Sequence, residues 1–184
     1  MHGIRPLLRL PLAAGFAFIA LACATAPPAP VALPAAAAHL VRPDLGHPAS
    51  PLAQSLNRGW SAFQAGRFGE AQKRFTEIAR HDPGYAPAQL GAAAVALARG
   101  DAATAETLIS RVRSGPARFA AAEIYAAVYW ASRDDLARTV ATYEALLSAP
   151  GVTLPLSVAA RYEALRTRYF DALFAAASQA AEPQ

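Results

Sequence analysis

Few side chains in this 184-residue sequence are of types and spacings that could carry out catalysis or hold a metal. The four histidines do not form a metal-binding pair on a helix. The adjacent carboxylates Asp134 and Asp135 could bind a cation, but at the start of a helix they more commonly accept hydrogen bonds from free amides. The sequence also has no glycine-rich phosphate loop and no Gly-x-Ser-x-Gly turn. It therefore predicts a protein that is not an enzyme and binds no cofactor or metal.

The position of Cys23, the single cysteine, is informative. One cysteine cannot form an intrachain disulfide. It follows Arg5, Arg9 and an apolar run from Leu12 to Ala22, an order typical of a secretory signal. The run is short for a membrane-spanning helix, which needs about 20 apolar residues. Residues 1–22 are therefore predicted to be an export signal, with an uncleaved inner-membrane anchor as the alternative.

The segment Ile19–Cys23 resembles the lipobox of bacterial lipoproteins. The resemblance implies that the Cys23 thiol takes a diacylglycerol group and becomes an acylated N-terminus, which would hold the protein stably on a membrane. The commonest pattern has Leu three residues before the cysteine, where this sequence has Ala20. Cleavage by an ordinary signal peptidase, after Ala22 or Ala24, is the alternative. The expected location is the bacterial cell envelope, facing the periplasm, with the anchor in the outer membrane.

Residues 23–50 are rich in proline and alanine and are predicted to form a tether. Proline removes a backbone donor and restricts the residue before it, so the segment cannot form a continuous helix. An extended proline-rich chain rises about 3.1 Å per residue, which gives a reach on the order of 80 Å. The sequence leaves open whether the segment is a spacer or simply disordered.

The net charge of +4 does not indicate nucleic-acid binding. Without Arg5 and Arg9 of the predicted signal, 15 basic residues face 13 acidic ones. Nucleic-acid-binding proteins concentrate positive charge on one face, whereas here acids and bases alternate along the helices. The expected partner is therefore a protein or peptide, with the membrane reached through a lipid anchor, and no small-molecule substrate is expected.

An internal period of 34 residues runs through the chain from about residue 52 to residue 148. The pairs separated by this period are Gly66 and Gly100, Ala71 and Ala105, Phe75 and Ile109, and Ile78 and Val112. A weaker third copy has Asp134 in the place of the glycines. Apolar residues at steps of three and four then predict a final helix over about 154–180, with a stripe formed by Val158, Tyr162, Leu165, Tyr169, Leu173 and Ala176.

The period and the residues that recur resemble the tetratricopeptide repeat, a 34-residue unit of two antiparallel helices. In the first copy Gly59, Ala71, Phe75 and Pro83 occupy the family's signature positions. The resemblance covers residues 52–148 and implies an all-α solenoid. We expect three helical hairpins and a C-terminal capping helix over residues 51–180, followed by a disordered tail at 181–184.

The resemblance also implies a ligand groove lined by the first helix of each hairpin. By register, the residues facing it are Leu56, Trp60, Phe63, Gln64, Leu90, Ala94, Leu97, Ile124 and Val128. Trp60 and Phe63 are the strongest candidates for partner contact. The alternatives are that most of these residues are core, or that the tether or the final helix fills the groove.

The function most consistent with these features is a scaffold or adaptor for an envelope assembly or secretion machine. A soluble periplasmic binding module is the main alternative. A regulatory subunit of a cell-wall enzyme is a weaker one, because the sequence offers no convergent polar groups.

Overall fold

The computed structural model describes residues 40, 42, 50–115 and 120–180. Within them the chain forms seven α-helices and no strand. Their bounds are α1 Pro51–Gln64, α2 Phe68–His81, α3 Ala86–Arg99, α4 Ala102–Arg113, α5 Ala120–Ser132, α6 Leu136–Leu147 and α7 Leu156–Ala180. The prediction of an all-α fold with three hairpins and a final helix is confirmed. The predicted signal, Cys23, most of the tether and residues 181–184 lie outside the described residues.

Three helices begin with a side-chain cap that the sequence supplies. Ser50 Oγ accepts a hydrogen bond from the amide of Ala53 at 3.1 Å, directly before a proline in the first turn of α1. Asp101 Oδ1 accepts one from the amide of Thr104 at 3.1 Å, at the start of α4. These oxygens satisfy amide groups that have no partner inside the helix.

The turn inside each hairpin contains one residue with left-handed backbone. Gly66 and Gly100 have φ of 70° and 75°, and Asp134, in the same register, has φ of 57°. Asp134 was predicted to cap α6, and that prediction is wrong. Asp135 is the cap, accepting from the amide of Arg138 at 3.0 Å, because the preceding position is needed for the left-handed turn.

The helices pack in chain order, and the hairpins stack. Each helix contacts the next, while α1 also contacts α3, and α3 also contacts α5. Phe75 on α2 is completely buried where α1 and α3 meet. A Cβ atom on Gly59 would lie 2.7 Å from its ring, and one on Gly91 would lie 2.6 Å from it. Two glycines therefore make room for one aromatic ring.

The buried side chains form two clusters. The larger one extends from α1 to α5, and the smaller one joins α5, α6 and the first half of α7. Val158, Tyr162 and Leu165 on α7 are buried in the smaller cluster, as the predicted stripe requires. None of the helices in the described part of the chain is long and apolar enough to cross a membrane.

Candidate interaction surfaces

The apolar residues of the first helices recur in α7 with the same 34-residue period. Leu56, Leu90, Ile124 and Val158 form one row, and Phe63, Leu97, Ala131 and Leu165 form another. α7 therefore stands in the register of the first helix of a fourth hairpin. The apolar steps predicted the stripe on α7 but did not predict this register. The signature position of Gly59 is Arg161 in α7, so the small-residue signal is lost there.

Most residues predicted to line the groove are buried. Leu56, Trp60, Phe63, Leu90 and Leu97 all belong to the larger core cluster. On α3 the burial extends around the whole helix, since every residue from Pro87 to Leu97 is buried. Gln64, at the end of α1, is exposed. This arrangement favours the alternative that the apolar positions are core. Contact between them and a partner stays a prediction.

Trp60 is packed by aromatic rings on two helices. Its ring centroid lies 5.5 Å from that of Phe63 on α1 and 5.5 Å from that of Phe75 on α2, both edge-on. Its indole Nε1 donates no hydrogen bond within the described part of the chain, although the atom is buried. A buried donor without a partner is costly, so this group would gain from any acceptor brought near it.

Leu40, well inside the predicted tether, touches the helical domain. Leu40 is partly buried and packs against the larger core cluster, eleven residues before α1 begins at Pro51. The tether is therefore held against the helices at this point.

Arginines are close together in two stretches of the sequence, at the end of α4 and along α7, and several of them pair with acids. Arg113 Nε lies 3.0 Å from Glu123 Oε1, linking α4 to α5. Arg168 Nη2 lies 3.3 Å from Asp134 Oδ1, linking α7 to the turn before α6. Such exposed pairs contribute little energy. They do reduce the local positive field, so these stretches offer no strongly basic face.

An open cleft of about 660 Å³ lies where α4, α5 and the end of α6 meet. The Arg113–Glu123 pair lies at its wall, together with small and apolar side chains from α6 and the loop after it. The charged residues that line it, Arg113 and Glu123, pair with each other. Within the described ranges there is also no group of three or more His, Cys, Asp or Glu that could hold a metal.

The second half of α7 exposes large apolar side chains. Phe170, Leu173 and Phe174 are 50%, 48% and 77% exposed. The predicted stripe is therefore buried only in its first half. The reason is length: the 25 residues of α7 span about 38 Å, whereas the 12 residues of α6 span about 18 Å and cover only the first part.

The family's signature positions have the structural roles that the repeat requires. Gly59, Ala71, Phe75, Ala105 and Ile109 are buried between helices. Gly66 and Gly100 supply the left-handed turns. Pro83 lies in the α2–α3 turn, where its carbonyl accepts a hydrogen bond from Gln89 Nε2. These residues therefore maintain the fold rather than form a binding site.

Comparison with known proteins agrees with this geometry. Residues 62–128 match the family model of the tetratricopeptide repeat, from the end of α1 into α5. No curated protein and no solved structure matches the chain. The matched segment contains the complete hairpin of α3 and α4, together with α2 and most of α5, which contact that hairpin. The same period continues before and after the matched segment. Residues 62–128 are therefore a tetratricopeptide repeat segment, and the seven described helices form a solenoid of that type.

Proposed function

We propose that the protein is a non-enzymatic scaffold of the bacterial cell envelope, which docks other proteins onto a larger assembly or secretion machine. The observation that carries the proposal is the solenoid of stacked hairpins matched by the repeat family, since tetratricopeptide repeats are protein-interaction modules. A solenoid offers an extended surface to a partner, in contrast to the convergent polar groups of an active site.

The location rests on the pattern of the N-terminal residues. Arg5 and Arg9, the apolar run from Leu12 to Ala22, and Cys23 have the order of a lipoprotein signal. Acylation at Cys23 would place the repeat domain at a membrane surface. The proposed membrane is the outer one, and the domain would face the periplasm.

The proposed partner contact lies at the exposed edge of the first-helix face. Gln64 is exposed at the end of α1, adjacent to the buried rings of Phe63 and Trp60. Aromatic residues at the centre of a small contact are frequent binding hot spots.

Photo-crosslinking in living cells tests the contact. A crosslinking amino acid is placed at Gln64 in the full-length chain, and at Lys73 on the exposed side of α2 as the matched control. We expect a specific protein adduct from position 64 and none from position 73. Adducts of equal yield at both positions, or none at either, would contradict the proposed contact.

Metabolic labelling with radioactive fatty acid tests the anchor. The wild-type chain is expected to incorporate label, and Cys23→Ala is expected to incorporate none. Absence of label from both chains would favour the soluble periplasmic module. Recovery of a cell-wall enzyme whose rate changes with this protein would favour the regulatory subunit.

A further inference from the structure

We propose that the second half of α7 pairs with the same surface of a second copy of the chain, forming a two-fold symmetric dimer. The surface consists of Phe170, Leu173, Phe174 and Ala177 and is called the distal α7 face. This inference concerns the chain's contact with itself and does not depend on the proposed envelope function.

The spacing of these residues places them on one side of the helix. They follow the steps i, i+3, i+4 and i+7, which form a continuous apolar stripe along two turns. All four are exposed, and Phe174 is the most exposed of the aromatic side chains in the stripe. The same spacing forms the seam of a pair of packed helices.

The charge around the stripe is compatible with self-association. From Tyr169 to Ala180 the only charged residue is Asp171, whereas Arg161, Glu163, Arg166 and Arg168 all lie earlier on the helix. The Arg166 guanidinium lies 5.8 Å from the centroid of the Phe170 ring, at the first end of the face, so an antiparallel pairing keeps the Arg166 side chains of the two copies at opposite ends. An antiparallel arrangement would also place opposite helix ends near one another.

The rest of the solenoid offers this face no other apolar surface to pair with. Among the described residues, the exposed large hydrophobic side chains are Leu147, Leu156, Phe170, Leu173 and Phe174, which all lie on α6 or α7. At the opposite end, α1 exposes the polar residues Gln54, Arg58 and Ser61. A head-to-tail contact between copies would therefore set apolar against polar surface, while a two-fold contact sets the apolar face against itself.

The size of the face predicts a dimer that dissociates on dilution. With about 200 Å² for each phenylalanine, the exposed parts of Phe170 and Phe174 amount to roughly 250 Å² per chain. Two copies contribute about twice this area from the rings, which is well below the 1,600 Å² or so of a standard stable interface. We therefore infer a monomer–dimer equilibrium that shifts towards the dimer as protein concentration rises.

The test is crosslinking between two differently tagged full-length copies in the same cell. A photo-crosslinking amino acid at Ala177 is expected to join the two tags. Phe170→Glu with Phe174→Glu is expected to lower that product at least fivefold, because each copy would place carboxylates in the seam. Leu156→Glu is the matched control, since it makes the same kind of change on α7 at a side chain that is 90% exposed and lies outside the face.

Three results would overturn the proposal: no product between the two tags, a product that the double variant leaves unchanged, or a main adduct with lipid or with a different protein. If the double variant is degraded, the crosslinked product is measured in the single variant Phe174→Gln instead. That ring is 77% exposed, so the fold should tolerate its loss. Retention of the product in that variant would then count against the dimer.

Discussion

At the scale of single residues, two buried tyrosines differ in how their hydroxyl groups are satisfied. Tyr129 donates a hydrogen bond to Glu106 Oε2 at 2.7 Å. Tyr143 is buried, and its hydroxyl has no partner among the described residues. A hydrogen bond contributes about 1 kcal/mol net, whereas an unpaired buried polar group costs about 1–3 kcal/mol.

The two hydroxyls should therefore respond in opposite directions to removal. Tyr143→Phe is expected to leave the free energy of unfolding unchanged or to raise it by up to about 1 kcal/mol, and Tyr129→Phe to lower it by about 1 kcal/mol. Urea denaturation of both variants measures the difference. A clear loss of stability in Tyr143→Phe would mean that this hydroxyl has a partner.

Burial of the phenols of Tyr143 and Tyr125 also predicts that the fold is sensitive to alkali. Burial raises the pKa of Tyr143, against a smaller opposing effect of Arg161. Burial raises the pKa of Tyr125 well above the usual value. A raised pKa in the fold means that the unfolded chain loses its proton first, from about pH 10. The contribution of these protonated phenols to the free energy of unfolding is therefore complete below about pH 10. It is lost as the pH rises through the pKa that each phenol has in the folded protein.

We expect the free energy of unfolding to fall steadily above about pH 10, and to fall less steeply in Tyr143→Phe. Denaturation at a series of pH values between 8 and roughly 11.5 checks this. The same slope in wild type and variant would show that Tyr143 does not contribute to the decline.

Asp134 holds a backbone conformation that favours glycine. Its φ of 57° is in the left-handed region, which costs an ordinary L-residue about 1–2 kcal/mol. Aspartate tolerates this region better than most residues, so Asp134→Gly is expected to raise the free energy of unfolding by a smaller amount, about 0.5–1 kcal/mol. Loss of the exposed ion pair with Arg168 subtracts little from that increase.

Gly100 has the same left-handed backbone in the preceding hairpin. Gly100→Ala should lower the free energy of unfolding by about 1 kcal/mol. Thermal melts of both variants test this, and a gain in Gly100→Ala would contradict it.

At the scale of the helices, the contact of Phe75 with two glycines determines how closely α1 and α3 approach. Gly91→Ala would improve helix propensity by about 1 kcal/mol in isolation. The added methyl would, however, lie 2.6 Å from the buried ring of Phe75. The overpacking should dominate, so a net loss of about 1–3 kcal/mol is expected.

Gly69 on α2 provides the matched control for that substitution. A Cβ there would meet only the end of the Arg99 side chain, at 3.9 Å. Gly69→Ala should therefore raise the free energy of unfolding by up to about 1 kcal/mol. Chemical denaturation of the two variants compares the same change with and without a clash. Equal effects would show that Phe75 can move aside.

The helices themselves could be predicted from the sequence because their signals are local and repeated. The period of 34 residues located the turns at Gly66 and Gly100, and apolar steps located α7. Gly91 was not singled out, because its role depends on a ring 16 residues earlier in the chain and only the packed structure brings them together. Register alone cannot tell a groove from a buried seam, so the contact of Trp60 with a partner stays a prediction even though its ring is buried.

The end of α7 shows a second limit of sequence patterns. Leu173 belongs to the same apolar stripe as Val158 and Leu165, yet only the latter two are buried. Periodicity reports which side of a helix is apolar, and it does not report how far a neighbouring helix extends. The exposed stripe was therefore visible only once the lengths of α6 and α7 were compared.

At the scale of the whole molecule, the two core clusters are of unequal size. The larger contains 24 buried residues of the described chain and the smaller contains 8. In a repeat protein, stability is approximately a sum of local and nearest-neighbour terms, so it can differ along the solenoid. The α6–α7 end should therefore open at a lower free energy than α2, α3 and α4.

Amide hydrogen exchange followed by mass spectrometry should show this gradient. We expect the slowest exchange in α3, where every residue from Pro87 to Leu97 is buried, and the fastest helical exchange in the second half of α7. Exchange between Tyr169 and Ala180 should also slow as protein concentration rises, because pairing of the distal α7 face would protect those amides. Uniform exchange along the helices would contradict the gradient. Fast exchange of 169–180 at every concentration would leave the gradient intact and count against the dimer.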